Sequence, residues 1–128
     1  MSLLSKFSLG KSEAETKIEQ ISVADAHERE LAGRIVLIDV RRPDEWDETG
    51  RPQGSYGVTL QDKDFLEQVE KLTEGDETRS IAFTCKTGGR SSEAADRAKA
   101  AGHINIANVK GGFQAWSEAG LPTEKGPF

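Results

Sequence analysis

Several features that define common protein classes are missing from this chain of 128 residues. It contains a single cysteine, Cys85, so an internal disulfide and a zinc site built from several cysteines are both excluded. Its two histidines, His27 and His103, are too far apart in sequence to form a local metal-binding motif. The longest strongly apolar run spans only residues 35–38, whereas a membrane-spanning helix needs about 20 residues. We therefore expect no metal and no membrane span.

The charge balance is acidic. The chain has 17 lysine and arginine residues against 22 aspartate and glutamate residues, which gives a formal net charge of −5. This excess of negative charge argues against nucleic acid as the main partner. With 35% hydrophobic and 30% charged residues, the composition is typical of a globular domain.

The first 17 residues differ in their sequence pattern from the rest of the chain. Residues 1–17 are predicted to form a polar tail, and residues 18–128 a single domain. Apolar residues in the tail are interrupted by serine and lysine, so it lacks the continuous apolar core of about 7–15 residues that a secretory signal needs. We therefore expect a cytoplasmic protein.

From residue 18 onward, short apolar runs alternate with helical patterns. Strands are predicted at residues 18–21, 35–39, 56–60, 80–85 and 104–109. Helices are predicted after the N-cap Ser22 and at residues 43–46, 62–72, 91–101 and 112–119. This alternation indicates an α/β fold with a parallel sheet covered by helices. Ligands of such sheets bind beyond the carboxyl ends of the strands, so the loops after Asp39, Cys85 and Val109 are the candidate sites.

The loop after Cys85 combines several features that suit an anion. The adjacent Gly88 and Gly89 allow a tight bend that turns backbone N–H groups inward. A predicted helix begins at about Ser91, and its amino terminus favours negative charge. Lys86 and Arg90 add two cations. A cysteine in this setting is predicted to ionise more readily than a free cysteine, whose pKa is about 8.5, and thus to act as a nucleophile.

Other interpretations of this loop exist. A single cysteine at the end of a strand is often only a small buried apolar residue, and a Gly-Gly pair often marks only a turn. Phosphate-transferring cysteine phosphatases and sulfur-transferring enzymes both use such a cradle. The phosphatase pattern has five residues between cysteine and arginine, whereas this loop has four. The shorter loop favours a bowl that fits one sulfur atom over one that fits a phosphoryl group.

Three segments resemble the signatures of the rhodanese family, in particular its single-domain members. They are LIDVRRPDEW at residues 37–46, CKTGGRS at residues 85–91, and VKGGFQAW at residues 109–116 followed by AGLP at residues 119–122. They stand in the family's order, and the resemblance covers about residues 18–123. It implies a three-layer α/β/α fold around a central, mostly parallel five-stranded sheet.

The resemblance implies a sulfurtransferase that needs no cofactor. The Cys85 thiolate would take sulfane sulfur from thiosulfate or a related anionic donor and carry it as a persulfide. The acceptor would be cyanide or a thiol, including a protein thiol. The active loop would comprise Lys86, Thr87, Gly88, Gly89, Arg90 and Ser91, and its N–H groups would stabilise the persulfide.

The resemblance leaves two other roles open, a persulfide carrier without turnover and a small phosphatase. Asp39 and Arg41 match the family's Asp-x-Arg, and we expect them to form a supporting ion pair. Trp46, Phe113 and Trp116 are expected in the core. His27 and His103 are expected at the surface or at its boundary.

Overall fold

The computed structural model describes residues 16–126. The tail predicted for residues 1–17 lies largely outside the described residues, although Thr16 is buried. The boundary between tail and domain therefore stays a prediction. Within residues 16–126, none of the helices has the length and apolar character needed to cross a membrane.

The described part of the chain contains seven strands and five helices. In order they are β1 (Glu19–Ile21), α1 (Val23–Leu31), β2 (Val36–Asp39), α2 (Pro43–Thr49), β3 (Arg51–Pro52), β4 (Tyr56–Gly57), α3 (Phe65–Thr73), β5 (Ile81–Thr84), α4 (Gly89–Ala100), β6 (Ile106–Val109), α5 (Gly112–Glu118) and β7 (Thr123–Glu124). Five strands form a parallel sheet in the order β1-β6-β5-β2-β4, and β3 pairs with β7 in a small antiparallel sheet.

The three central strands are buried along their whole length. Their sequences VLID, IAFT and IANV are mostly apolar, as expected where helices cover both faces of a parallel sheet. In register, Leu37 lies beside Ala82, which lies beside Ala107. Because all three strands run in the same direction, their carboxyl ends meet at one edge of the sheet, where Asp39 and Cys85 are found.

Helices cover both faces of the sheet, so the fold has the three predicted layers. On one face, α3 contributes Phe65 and Val69, and α4 contributes a stripe of small alanines that allows close packing. On the other face, α1 contributes Ala26, and α5 contributes Phe113 and Trp116. The predicted α/β/α architecture with a central five-stranded parallel sheet is therefore confirmed.

Several element boundaries differ from the prediction. Helix α4 begins at Gly89 instead of Ser91, because Gly88 is its N-cap with φ of +124°. Of the strand predicted at residues 56–60, only Tyr56–Gly57 pairs with a neighbouring strand, β2. The short strand β3 was not among the predicted strands.

The predicted surface or boundary position of His103 is wrong. Only 2% of this residue is exposed. Gly102, with φ of +105°, turns the chain back so that the His103 N–H donates to the carbonyl oxygen of Ala98 at 3.1 Å. This turn draws His103 against the end of α4. By contrast, His27 is partly buried, with its ring edge-on to Trp116 at 5.5 Å between centroids, which fits the predicted boundary position.

Candidate active site

Cys85 lies directly after β5, at the carboxyl edge of the sheet. Only 1% of the residue is exposed, so its sulfur lies at the floor of the loop rather than on the surface. The backbone N–H of Gly88 donates a hydrogen bond to Sγ at 3.0 Å. The positive φ of Gly88 favours glycine at this position, and this conformation turns the amide toward the sulfur.

The first turn of α4 supplies a second contact to the sulfur. The Ser91 hydroxyl lies 3.3 Å from Cys85 Sγ and 3.2 Å from the carbonyl oxygen of Gly88. Ser91 is fully buried. The sulfur thus lies at the amino terminus of a helix, where unpaired N–H groups favour negative charge.

The surroundings of Cys85 favour ionisation of its thiol. Burial raises the pKa of the thiol, but hydrogen bonds from the Ser91 side chain and from the N–H groups of Ser91, Gly88 and Thr87 lower it. The hydrogen bonds outweigh burial, so the pKa lies below its ordinary value. An ionised sulfur held by preorganised amides is suited to nucleophilic attack.

A buried amide, which was not among the predicted site residues, extends this arrangement. The Ser91 hydroxyl lies 2.5 Å from Oδ1 of Asn108, and Nδ2 of Asn108 donates to Oε1 of Gln20 at 2.8 Å. The available signal was Asn108 itself, the one polar residue in the apolar strand IANV. A buried amide in a central strand requires hydrogen-bond partners, and here the partner is the serine beside the cysteine.

Arg90 is bound to Glu45, a carboxylate that was not predicted as a site residue. Its two terminal nitrogens donate to the two oxygens of Glu45 at 2.7 and 3.0 Å. Glu45 also accepts from the backbone N–H of Arg42 at 3.0 Å. Because Glu45 offsets its charge, Arg90 provides less positive potential for an anionic donor than the sequence suggests.

Asp39 and Arg41 form the expected ion pair, with side chains that are 0% and 2% exposed. Arg41 also donates to the Thr49 hydroxyl at 3.0 Å and to the Gly50 carbonyl oxygen at 2.9 Å. Its guanidinium lies 4.3 Å from the ring centroid of Phe113. The pair therefore fastens the end of β2 to the end of α2. Its supporting role at the active site stays a prediction.

The start of α5 holds the cysteine loop from its other side. The N–H of Phe113 donates to the Cys85 carbonyl oxygen at 2.7 Å, and the N–H of Gln114 donates to that of Lys86 at 3.0 Å. Gly112 permits this approach, because a Cβ atom there would lie 2.5 Å from the Cys85 oxygen. Trp46, Phe113 and Trp116 are buried, as predicted.

A cleft of about 450 Å³ opens beside the loop. Lys86, Phe113 and Gln114 line it together with Glu45 and Glu48 from α2. Within the loop, the side chains of Lys86 and Thr87 are exposed. Among residues 16–126, no cluster of three or more histidine, cysteine, aspartate or glutamate residues is arranged to hold a metal ion.

Comparison with known proteins places this chain in a family. The Rhodanese-like domain model matches residues 22–119. Thiosulfate sulfurtransferase 16 from the chloroplast of Arabidopsis thaliana is 34% identical over 113 residues, covering 81% of this chain and 91% of that protein. The chain therefore belongs to the rhodanese family, as its sequence motifs suggested.

Solved structures agree with this assignment. The polysulfide-sulfur transferase homodimer of Wolinella succinogenes is 26% identical with a TM-score of 0.70, covering 98% of this chain and 90% of that chain. A protein from Rhodopseudomonas palustris, described as a possible tyrosine phosphatase, is 29% identical with a TM-score of 0.69 and covers 91% of this chain and 90% of that chain. The fold is thus shared by proteins described with different chemistries.

Proposed function

We propose that this protein is a sulfurtransferase that works through a persulfide on Cys85. The thiolate attacks the outer sulfur of thiosulfate or a related donor and forms a new S–S bond. The S–S bond of the donor breaks, and sulfite leaves with the electron pair. In the second step an acceptor, either cyanide or a thiol, attacks the outer sulfur of the persulfide. The Cys85 thiolate is then released for another cycle.

The observation that supports this proposal most strongly is the hydrogen bonding around Cys85 Sγ. The Gly88 N–H donates to the sulfur at 3.0 Å, and the loop amides together with Ser91 lower the pKa of the thiol despite its burial. Donors fixed in place before the reaction stabilise a charged sulfur without reorganisation. The same donors are well placed to hold the terminal sulfur of a persulfide.

The charges around the loop suit a small anionic donor. Lys86 is exposed at the edge of the cleft, where its charge can attract thiosulfate. Arg90 is proposed to act mainly in holding the loop, because its guanidinium is bound to Glu45. The cleft next to Lys86 is the proposed entry for the acceptor. We keep a cytoplasmic location as a prediction from the sequence.

Phosphate-ester hydrolysis is a second candidate, favoured by the likeness to the Rhodopseudomonas palustris protein. The four residues between Cys85 and Arg90 argue against it, because the phosphatase pattern has five. In addition, the guanidinium that would bind a phosphoryl group is occupied by Glu45 at 2.7 Å. Hydrolysis of an aryl phosphate tests this candidate directly.

The proposed function is tested by measuring thiocyanate formation from thiosulfate and cyanide. The wild-type protein should produce thiocyanate over many turnovers, and Cys85→Ser should produce none while keeping its circular dichroism spectrum and melting temperature. A protein that forms the persulfide but no thiocyanate would be a sulfur carrier. Aryl phosphate hydrolysis without sulfur transfer would replace the proposal with the phosphatase assignment.

A further inference from the structure

Three acceptors compete for one proton beside Cys85. The Ser91 Oγ lies 2.5 Å from Asn108 Oδ1, 3.2 Å from the Gly88 carbonyl oxygen and 3.3 Å from Cys85 Sγ. A serine hydroxyl has a single proton, so it can donate to only one of these atoms at a time. The shortest of the three contacts is the one to Asn108. Whenever the hydroxyl donates to Asn108, it therefore does not donate to the sulfur, so Asn108 limits the stabilisation that Ser91 gives the thiolate.

The orientation of the Asn108 amide is fixed from the edge of the sheet. Its Nδ2 donates to Oε1 of Gln20 at 2.8 Å, and the two residues are paired in the register of β1 and β6. Because the nitrogen is used by Gln20, the carbonyl oxygen faces Ser91. Asn108 therefore presents an acceptor to the hydroxyl and has no proton to give it in this orientation.

We propose that Asn108, held by Gln20, is a positioning residue that competes with Cys85 for the Ser91 hydroxyl proton and thereby sets the reactivity of the sulfur. This inference rests on the proposed function, because it takes Cys85 as the nucleophile. A sulfur with fewer donors is harder to ionise, but each thiolate formed is more nucleophilic. Asn108 would thus make each thiolate faster in its attack on the donor. It would also lower the fraction of protein molecules in which the sulfur is ionised.

The charged groups around the sulfur lie outside this chain of hydrogen bonds. They come from the end of β2, from α2 and from the loop itself: Asp39, Arg41, Glu45, Lys86 and Arg90. Neutral substitutions at Asn108 or Gln20 change none of them. A change in the titration of Cys85 in such variants would therefore be caused by the hydrogen-bond chain.

The test is the pH dependence of Cys85 alkylation by iodoacetamide in Asn108→Leu, a neutral variant of similar size. Freed from Asn108, the hydroxyl should donate to the thiolate, so the pKa read from the profile should fall by about one pH unit. The rate constant on the high-pH plateau should fall about threefold, because nucleophilicity decreases with pKa. The key control repeats the substitution in Ser91→Ala, where it should move neither quantity.

An unchanged or raised pKa in Asn108→Leu would overturn the proposal, as would an equal shift in the Ser91→Ala background. Gln20 is exposed, so Gln20→Met provides a variant that leaves the core intact. It should shift the pKa in the same direction by a smaller amount, and an unchanged value would overturn the part assigned to Gln20. Alkylation needs no sulfur donor, so these outcomes are independent of whether the protein transfers sulfur.

Discussion

Arg90 and Glu45 are 45 positions apart in sequence, and two hydrogen bonds of 2.7 and 3.0 Å join their side chains. The contact links the end of the cysteine loop to α2. It also lowers the pKa of Glu45 to about 2, chiefly through the hydrogen bonds from Arg90 and with help from the Arg42 N–H. The arginine of the loop is thus restrained by a partner that stays ionised under ordinary conditions.

Glu45→Gln should increase the affinity for an anionic donor. The substitution removes the carboxylate that offsets Arg90, so the KM for thiosulfate should fall by about two- to fivefold, the range expected for a partly exposed charge pair. Steady-state kinetics at low salt provide the measurement. Glu48→Gln is the matched control, since it makes the same charge change in the same cleft and should have a smaller effect. An equal decrease in KM for both variants would contradict a specific role for the pair.

The same ion pair predicts how stability changes with acid. The pKa of Glu45 is about 2 in the folded protein, below the value of about 4.3 of an unperturbed glutamate. The contribution of ionised Glu45 to the free energy of unfolding is therefore complete above about pH 4.3 and is lost as the pH falls toward 2. Urea unfolding should show wild type about 0.5–1 kcal/mol more stable than Glu45→Gln at pH 6, with the difference shrinking on acidification. A difference that persists at pH 2 would be evidence against this account.

Lys86→Ala should weaken donor binding without changing the chemistry. It removes an exposed charge at the cleft and leaves Cys85 and its amide donors in place, so KM should rise a few-fold while kcat is retained. The increase should shrink at high salt, because exposed charges are screened. Lys71→Ala makes the same charge change on α3 and should leave KM unaltered. A loss confined to kcat would show that Lys86 acts in the reaction itself.

Gly112→Ala should disturb both stability and activity. Gly112 has φ of +56°, and a Cβ atom there would lie 2.5 Å from the Cys85 carbonyl oxygen. We expect a loss of about 1–3 kcal/mol in the free energy of unfolding and a reduced kcat, because the cysteine loop must move. Gly120→Ala is a matched control, with φ of +69° and no atom within 4 Å of the added Cβ. It should lose stability from backbone strain but keep its kcat.

The fold, and the position of Cys85 at the carboxyl edge of the sheet, could be predicted from the sequence because the signals for them are local. An apolar run that ends in Asp39, and another that ends in Cys85, predicts buried parallel strands with polar residues at one edge. The glycines after Cys85 and the caps of the helices are likewise local signals. Ser22, for example, accepts a hydrogen bond from the Asp25 N–H at 3.0 Å, as its position predicted.

Contacts between distant segments could not be predicted in the same way. Nothing near Glu45 indicates that its partner lies on the loop after β5, because the contact depends on how α2 and that loop meet at the sheet edge. Similarly, Asn108 reaches Ser91 only because β6 lies next to β5 in the sheet. The burial of His103 was also missed, although the turn at Gly102 that draws it against α4 is local to the end of that helix.

The central claim is that Cys85 accepts a sulfur atom. The most direct test is the intact mass of the protein after incubation with thiosulfate and removal of excess reagent. The account predicts a gain of about 32 Da, one sulfur atom on the Cys85 thiolate, that is lost on addition of cyanide and never appears in Cys85→Ser. An unchanged mass in the wild-type protein, or the same gain in Cys85→Ser, would contradict it.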